Sequence, residues 1–221
     1  MPKSRKIENS ELVPLETVHD LRTRFLTGFT LVELMVTISI VSVILSIVLY
    51  NYGTFNDNIA LSSSGQEMAI AIRQAQTYGV NVREVKVGGG VFSTAYGIYF
   101  NPSSNPSDYY VFADTNGNKV YDVGNGCGGA VTECIEKFTL RNGVKISQIC
   151  DGASNCPPAP GQNVTNLDIT FLRPNLDANI NFANSVGNIK ATTLTGKIVL
   201  ISPKNKTLTI AVENTGQVLA Q

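Results

Sequence analysis

The sequence has little of what an enzyme or a nucleic-acid-binding protein commonly needs. Among its 221 residues there is no Trp and a single His, His19. Charged residues make up only 15%, and 17 Lys and Arg balance 17 Asp and Glu, so the formal net charge is zero. Because contact with nucleic-acid phosphates needs a basic excess, this balance argues against nucleic acid as a partner.

Signatures of catalysis are also missing. The sequence contains no G-x-S-x-G nucleophile elbow, no phosphate-binding P-loop and no H-E-x-x-H zinc motif. The one His, the usual general base, precedes the segment described next. We therefore expect a protein that is not an enzyme and that needs no catalytic cofactor.

One long apolar run dominates the N-terminal part of the chain. Residues 29–52 read FTLVELMVTISIVSVILSIVLYNY, and their only charge is Glu33. As a helix, residues 29–50 extend about 33 Å, enough for a bilayer core about 30 Å thick. Arg22 and Arg24 precede the run and Asp57 is the first charge after it, which places the N-terminus in the cytoplasm. A cleaved secretory signal would be shorter and followed by small residues, whereas here Gly28 precedes the run.

The sequence GFTLVELMV at 28–36 closely resembles the prepilin signature of type IV pilins and type II secretion pseudopilins. The resemblance implies that residues 1–28 are a leader, cut by a prepilin peptidase between Gly28 and Phe29. It also implies N-methylation of Phe29, and other pilins and an inner-membrane assembly platform as partners. Glu33 would be the fifth residue of the mature chain.

Glu33 is a functional candidate on physical grounds too. A carboxylate within the hydrocarbon costs about 2.5–3.5 kcal/mol on insertion scales, so its presence needs a reason. The resemblance implies a role in assembly, in which Glu33 pairs with the α-amino group of Phe29 on a neighbouring subunit. Alternatively, Glu33 lies one turn from the new terminus and simply reaches the membrane interface.

The pattern after the apolar run indicates a second helical half. In 53–80 the apolar residues Phe55, Ile59, Met68, Ile72 and Ala75 recur near helical spacing, and polar residues such as Asp57 fill the other face. We expect one helix over 29–79 whose amphipathic half packs on a soluble domain. The Ser- and Gly-rich patch at 62–65 leaves open two separate helices with a loop between them.

Residues 81–221 switch to period two and predict an extracytoplasmic antiparallel β domain, so that the fold class is α+β and pilin-like. The Asn142-Gly143 pair between two strand-like runs predicts a β-hairpin. The predicted strands are 91–100, 109–113, 133–140, 144–149, 167–172, 198–201 and 207–212.

A weaker resemblance concerns this second part of the chain. The stretches MAIAIRQAQTYGVNVREV, FADTNGNKVYD and VENTGQV look like the minor pseudopilins of the H type and related minor pilins, in which a helix end, a Phe-x-Asp-x-Asn turn and a late Gly turn occur in this order. The resemblance is patchy and covers about residues 66–122 and the last 25.

Four cysteines, Cys127, Cys134, Cys150 and Cys156, lie in the β domain. Outside the cytoplasm an even number predicts disulfides, and three pairings are possible. Local pairing gives Cys127–Cys134 and Cys150–Cys156. The predicted hairpin makes Cys134–Cys150 with Cys127–Cys156 feasible as well. The spacings of seven and six fit a zinc site poorly.

The loop 114–122 resembles the first half of a calcium loop. Asp114, Asn116, Asn118 and Asp122 supply side-chain oxygens at relative positions 1, 3, 5 and 9, and Val120 offers its carbonyl at position 7. Lys119 stands where such loops need Gly, and Asn125 stands where they need a bidentate Glu. The alternative is an Asx-rich β-turn that binds no metal.

These observations predict a structural subunit, a pseudopilin or minor pilin, of a type II secretion pseudopilus or a type IV pilus. It would be anchored in the inner membrane by one span, with the C-terminal domain periplasmic or extracellular, and would later enter a helical filament. The alternative is a pilin-like binding module for a surface ligand or for DNA uptake. For that role Lys190, Lys197, Lys204 and Lys206 form only a modest basic cluster.

Overall fold

A computed structural model describes residues 28–81, 94–124, 126–127, 132–152, 156, 164–175, 177–184 and 188–221. The chain divides into two compact units, Met1–Val48 and Leu49–Gln221. One long helix is followed by antiparallel strands, which confirms the predicted α+β, pilin-like fold. The elements are α1 (Leu31–Val80), β1 (Ala95–Phe100), β2 (Asp108–Asp114), β3 (Cys134–Thr139), β4 (Lys145–Asp151), β5 (Asn166–Phe171), β6 (Ala178–Ala183), β7 (Ile189–Thr193), β8 (Thr195–Ile201), β9 (Thr207–Glu213) and β10 (Val218–Ala220).

The described strands form two sheets. The larger has six strands in the order β3-β2-β1-β5-β6-β7, and the smaller has four in the order β10-β9-β8-β4. Every neighbouring pair is antiparallel. Buried residues of the second half of α1 and of both sheets form one apolar core, which includes Met68, Ile72, Ile98, Leu167, Ile198 and Ile210.

The helix is continuous through the Ser- and Gly-rich patch at 62–65, so the alternative of two helices is wrong. Ser64 and Gly65 are buried, and a Cβ on Gly65 would lie 2.2 Å from the Leu208 Cδ2 atom. The small residues therefore let β9 approach the helix closely instead of interrupting it.

The buried face of the helix differs from the predicted one at its start. Phe55 and Ile59 were expected to pack on the domain, but both are exposed. Asp57, expected on the polar face, is only 6% exposed because the Ser202 hydroxyl donates a 2.6 Å hydrogen bond to its Oδ2 atom. The turn after β8 therefore covers this part of the helix and satisfies the buried carboxylate.

The strands β6 and β7 were not predicted. In β6 the apolar residues Ala178, Ile180 and Phe182 alternate with asparagines, which are depleted in strands and obscure the period of two. Asn181 is nonetheless buried, because its amide donates to the Lys119 carbonyl and its oxygen accepts from the Thr192 hydroxyl.

The predicted hairpin at Asn142-Gly143 is wrong, although the turn itself exists. Both residues have positive φ, 55° and 74°, and the Val144 N–H bonds the Arg141 carbonyl. The strand before the turn, β3, belongs to the six-stranded sheet, whereas β4 after it pairs with β8 in the other sheet. A tight turn thus links two sheets instead of two paired strands.

The structure joins the cysteines locally, Cys127 to Cys134 and Cys150 to Cys156, with Cα–Cα distances of 4.6 and 4.0 Å. The rival pairing depended on the hairpin, and the two strands that would have brought Cys134 to Cys150 lie in different sheets.

Tryptic mapping of the unreduced protein tests this pairing. Cleavage after basic residues places Cys127 and Cys134 together in the peptide 120–137, and Cys150 and Cys156 together in the peptide that begins at Ile146. Local pairing predicts two separate peptides, each lighter than its reduced form by two hydrogens. A single species in which the two peptides are joined would contradict it.

Candidate functional site

The predicted processing site lies directly before the helix. The Thr30 hydroxyl accepts a hydrogen bond of 3.2 Å from the Glu33 N–H, and its carbonyl accepts one from the Leu34 N–H. Thr30 is therefore the N-cap of α1. Gly28 and Phe29 precede the cap in exposed, non-helical backbone, and no described residue lies within 4 Å of the Cβ position of Gly28. The peptide bond between them is accessible on this side.

The apolar half of the helix is not covered by the protein. All described residues from 28 to 50 are exposed, and the helix is long and apolar enough to cross a bilayer. Four of its hydroxyls bond carbonyls of the same helix at 2.7 to 2.9 Å, those of Thr37, Ser39, Ser42 and Ser46. Such internal satisfaction is what a helix in lipid requires, since no water is available there.

Glu33 is the exception on this surface. It lies in the first turn of α1, where the positive end of the helix dipole favours a carboxylate. Its side chain is exposed, and within the described part of the chain no group hydrogen-bonds or ion-pairs with it. The carboxylate is therefore free to bind a cation from outside the chain.

The second candidate site, the loop 114–122, has a defined hydrogen-bond pattern. Asp114 accepts three backbone N–H groups, from Gly117 and Asn118 on Oδ1 and from Lys119 on Oδ2, at 2.7 to 3.1 Å. Lys119 takes a positive φ of 62°, the conformation for which calcium loops use Gly. The backbone therefore makes the turn despite the Lys.

The other predicted ligands converge on Asp122. The side-chain amides of Asn116 and Asn118 both donate to its Oδ2 atom. The Oδ1 atoms of the two asparagines accept the N–H groups of Asn118 and Val120, at 2.9 Å each. The structure thus brings the side chains of Asn116, Asn118 and Asp122 together.

Two acidic residues that the sequence did not predict hold this loop. Glu133, just before β3, accepts from the Thr115 N–H and hydroxyl on Oε1 and from the Asp122 N–H on Oε2. Asp168 of β5 accepts the Tyr121 N–H at 2.9 Å, while its Oδ2 atom is buried without a partner among the described residues. Their distance along the chain from the loop left no sequence signal for either contact.

Burial sets the protonation of both acids. It raises the pKa of the Asp168 carboxyl well above its usual range; the Tyr121 N–H opposes this, and nearby Glu133, Asp122 and Asp114 raise it further. Burial also raises the pKa of Glu133, against the opposing hydrogen bonds from Asp122 and Thr115. The acids therefore favour the protonated form more than exposed carboxyls do.

The side-chain oxygens of Asp114, Asn116 and Asn118 accept hydrogen bonds from backbone N–H groups, as in an Asx-rich turn. Within the described ranges no group of three or more His, Cys, Asp or Glu side chains is placed to hold a metal ion. Asparagine and carbonyl oxygens supply much of a calcium loop. Asn125 lies outside the described residues.

Comparison with known proteins identifies the N-terminal segment alone. Residues 27–49 match the prokaryotic N-terminal methylation motif. No curated protein and no solved structure matches the chain. The match confirms the predicted resemblance to type IV pilins and pseudopilins and supports anchoring by a single span, but it does not confirm the H-type subgroup.

We predict that Asp168→Asn stabilises the protein at pH 7, by on the order of 1 kcal/mol. An Asn can still accept the Tyr121 N–H, and it removes a charge that is costly to bury. Because the folded pKa of Asp168 is raised, its contribution to stability is complete below the unfolded pKa of about 3.9 and is lost as the pH rises through the folded pKa. On acidification the wild-type protein should become more stable as Asp168 is protonated, and the variant should show less of this increase.

Denaturant unfolding of the full chain in detergent, between pH 4 and 8, measures both effects. Glu133→Gln is the matched comparison. Both oxygens of Glu133 accept hydrogen bonds, so the NH2 group of a glutamine would face an N–H or O–H donor in place of an acceptor. This substitution should lower the free energy of unfolding at pH 7 by about 1–3 kcal/mol. Destabilisation by Asp168→Asn at pH 7 would contradict the assignment.

Proposed function

We propose that this chain, which carries the N-terminal methylation motif, is a pseudopilin or minor pilin of a type II secretion pseudopilus or a type IV pilus. Prepilin peptidase would cut between Gly28 and Phe29 and methylate Phe29, and an inner-membrane assembly platform would move the mature chain from lipid into a filament. The observation that carries the proposal is the motif at 27–49 on a helix that its own protein leaves uncovered.

The exposed apolar surface supports filament formation on physical grounds. Twenty consecutive helical residues, 31–50, expose their side chains, far more apolar surface than a monomer keeps in water. Lipid covers such a surface in the membrane, and neighbouring helices would cover it in a filament. Glu33 would then pair with the α-amino group of Phe29 on a neighbouring subunit.

Two observations, on opposite sides of the span, support the proposed orientation. Arg22 and Arg24 precede the apolar run, which favours a cytoplasmic N-terminus. The four cysteines that follow it are all in disulfides, which persist in the periplasm or outside the cell. The β domain would therefore lie on the outer side of the membrane.

The methylation motif points to a structural subunit and not to an enzyme. The alternative, a module that binds DNA or a surface ligand, receives little support from the lysines. Lys204 and Lys206 lie in the turn after β8, whereas Lys197 lies near the start of β8, where its ammonium donates to the Gly152 carbonyl. Lys197 is thus separated from Lys204 and Lys206 along the strand, and these three lysines form no continuous stripe for a nucleic-acid backbone.

We also propose that the loop 114–122 binds a calcium ion. The convergence of Asn116 and Asn118 on Asp122 places oxygen-bearing side chains together. A calcium ion would turn the two amide oxygens and the Asp122 carboxylate toward itself, with Asp114 and the Val120 carbonyl as further ligands.

N-terminal mass spectrometry of the protein from a filament-enriched fraction tests the main proposal. We expect a chain that begins at N-methylated Phe29. A chain that begins at Met1, or one cut after the apolar run, would overturn the proposal. Loss of the fraction in a strain without the pilus assembly ATPase would assign the subunit to the pilus; loss without the secretion ATPase would assign it to the pseudopilus.

In the same fractions Glu33→Ala should be inserted in the membrane but absent from filaments, because the cation on the neighbouring subunit loses its partner. Ser39→Ala is the matched control, since the Ser39 hydroxyl bonds only its own helix, and it should be incorporated normally. Normal incorporation of Glu33→Ala would refute the assembly role.

Calcium titration of the full chain tests the loop. Bound calcium stabilises the folded state, by about 2.7 kcal/mol at a hundredfold excess over the Kd, and should raise the unfolding midpoint. Asp122→Asn keeps an acceptor for the two amides but removes a charge, so it should weaken the effect. An unchanged midpoint with a flat calorimetric baseline would show that the loop is a plain turn.

A further inference from the structure

The turn after β8 lies against the helix directly beyond the apolar run. Besides the buried bond from Ser202 to Asp57, the Lys206 ammonium donates to the Asn58 Oδ1 atom at 2.7 Å. The Lys204 Nζ atom lies 2.6 Å from the position that a Cβ on Gly53 would occupy. Because Gly53 has no side chain, the Lys204 ammonium can lie against the helix there.

A second turn lies beside the first. A Cβ on Gly143 would lie 2.9 Å from the Pro203 Cγ atom, and Lys145 at the start of β4 faces Ile201 at the end of β8. The turn that carries Arg141 therefore adjoins the turn that carries Lys204 and Lys206.

Together these turns form a basic patch, which we define as Arg141, Lys145, Lys204 and Lys206. Within the described part of the chain none of the four has an ion pair. Of the acids on the adjoining segments, Asp108 pairs with Lys137 at 2.8 Å. Asp57 accepts only from the neutral Ser202 hydroxyl and so offsets part of the positive charge. With four cations against this one acid, the patch keeps a net positive charge.

The position of the patch along the helix determines which layer of the membrane lies beside it. Residues 31–50 extend about 30 Å, the thickness of a bilayer core, and the exposed aromatics Tyr50 and Tyr52 lie at the end of this stretch, where membrane interfaces favour Tyr. Gly53, which Lys204 approaches, is the next residue. Lys204 therefore lies within about one helical turn of Tyr50 and Tyr52, at the level of the lipid headgroups, and Lys206, bonded to Asn58, lies about one and a half turns further along α1.

We propose that the basic patch binds the anionic phospholipid headgroups of the membrane that holds the helix. Lipid phosphates complement its unpaired charges, and because the helix already anchors the chain in the bilayer, the contact costs no further translational freedom. This contact fixes the β domain against the membrane surface before assembly, and it must break when the subunit leaves the bilayer.

Acylation of lysines by acetic anhydride, read by mass spectrometry, tests the proposal on the full chain in nanodiscs. In phosphatidylglycerol discs Lys145 and Lys204 should react about fivefold more slowly than in phosphatidylcholine discs. The exposed Lys119 of the loop 114–122 is the internal control and should react equally in both. High salt should abolish the difference, since it screens surface charges.

Two variants sharpen the test. Lys204→Gln should reduce the protection of Lys145 in anionic discs, whereas Lys119→Gln should not. Equal reaction rates in the two disc types, or equal protection of Lys119, would overturn the proposal. Protection that is the same in both lipids and rises with the number of chains per disc would indicate a second copy of the protein on the patch and would also overturn it.

The inference rests on the proposed membrane span, and the two can fail separately. A chain without a span would not elute with the discs at all, in either lipid. If Lys204→Gln does not fold, the comparison of the wild-type chain in two lipids still decides.

Discussion

An apolar helical surface that the protein does not cover is the constraint on which the rest of the structure depends. Residues 31–50 are all exposed, so lipid or other chains would have to cover them. From Asp57 to Gly79 the same helix contributes a buried stripe to the core of the β domain. One continuous element thus meets two different surroundings, and the small residues Ser64 and Gly65 keep it unbroken where β9 approaches.

The outer face of the six-stranded sheet is covered by a loop and not by the helix. There the loop 114–122 covers an aromatic cluster of Tyr99, Phe112 and Tyr121, and it is held by two carboxylates, Glu133 and Asp168. These acids contribute hydrogen bonds at the expense of their own hydration, which raises their pKa. The loop is therefore tied to the sheet both by these hydrogen bonds and by the buried ring of Tyr121, which packs on Tyr99 and Phe112.

Sequence reasoning identified what depends on local pattern. The apolar run, the amphipathic half of the helix and the motif around Gly28 and Glu33 are written in consecutive residues, and most strands show a period of two. What it missed depends on contacts between distant residues. Asp168 and Tyr121, which are hydrogen-bonded, lie 47 positions apart in the sequence. The Asn142-Gly143 pair correctly predicted the backbone conformation of a turn, but it did not predict that the strands on either side belong to different sheets. Asp57 looked solvent-facing because Ser202 lies 145 residues away.

The hydroxyls in the apolar half of the helix bear on how a neighbouring chain could align with this one. All four donate hydrogen bonds to carbonyls of their own helix, those of Thr37, Ser39, Ser42 and Ser46. Along residues 31–49 the Glu33 carboxylate is therefore the only polar side chain without a hydrogen-bond partner in the described part of the chain. Among the polar side chains of this stretch, only Glu33 could therefore fix the position of a neighbouring helix along this one.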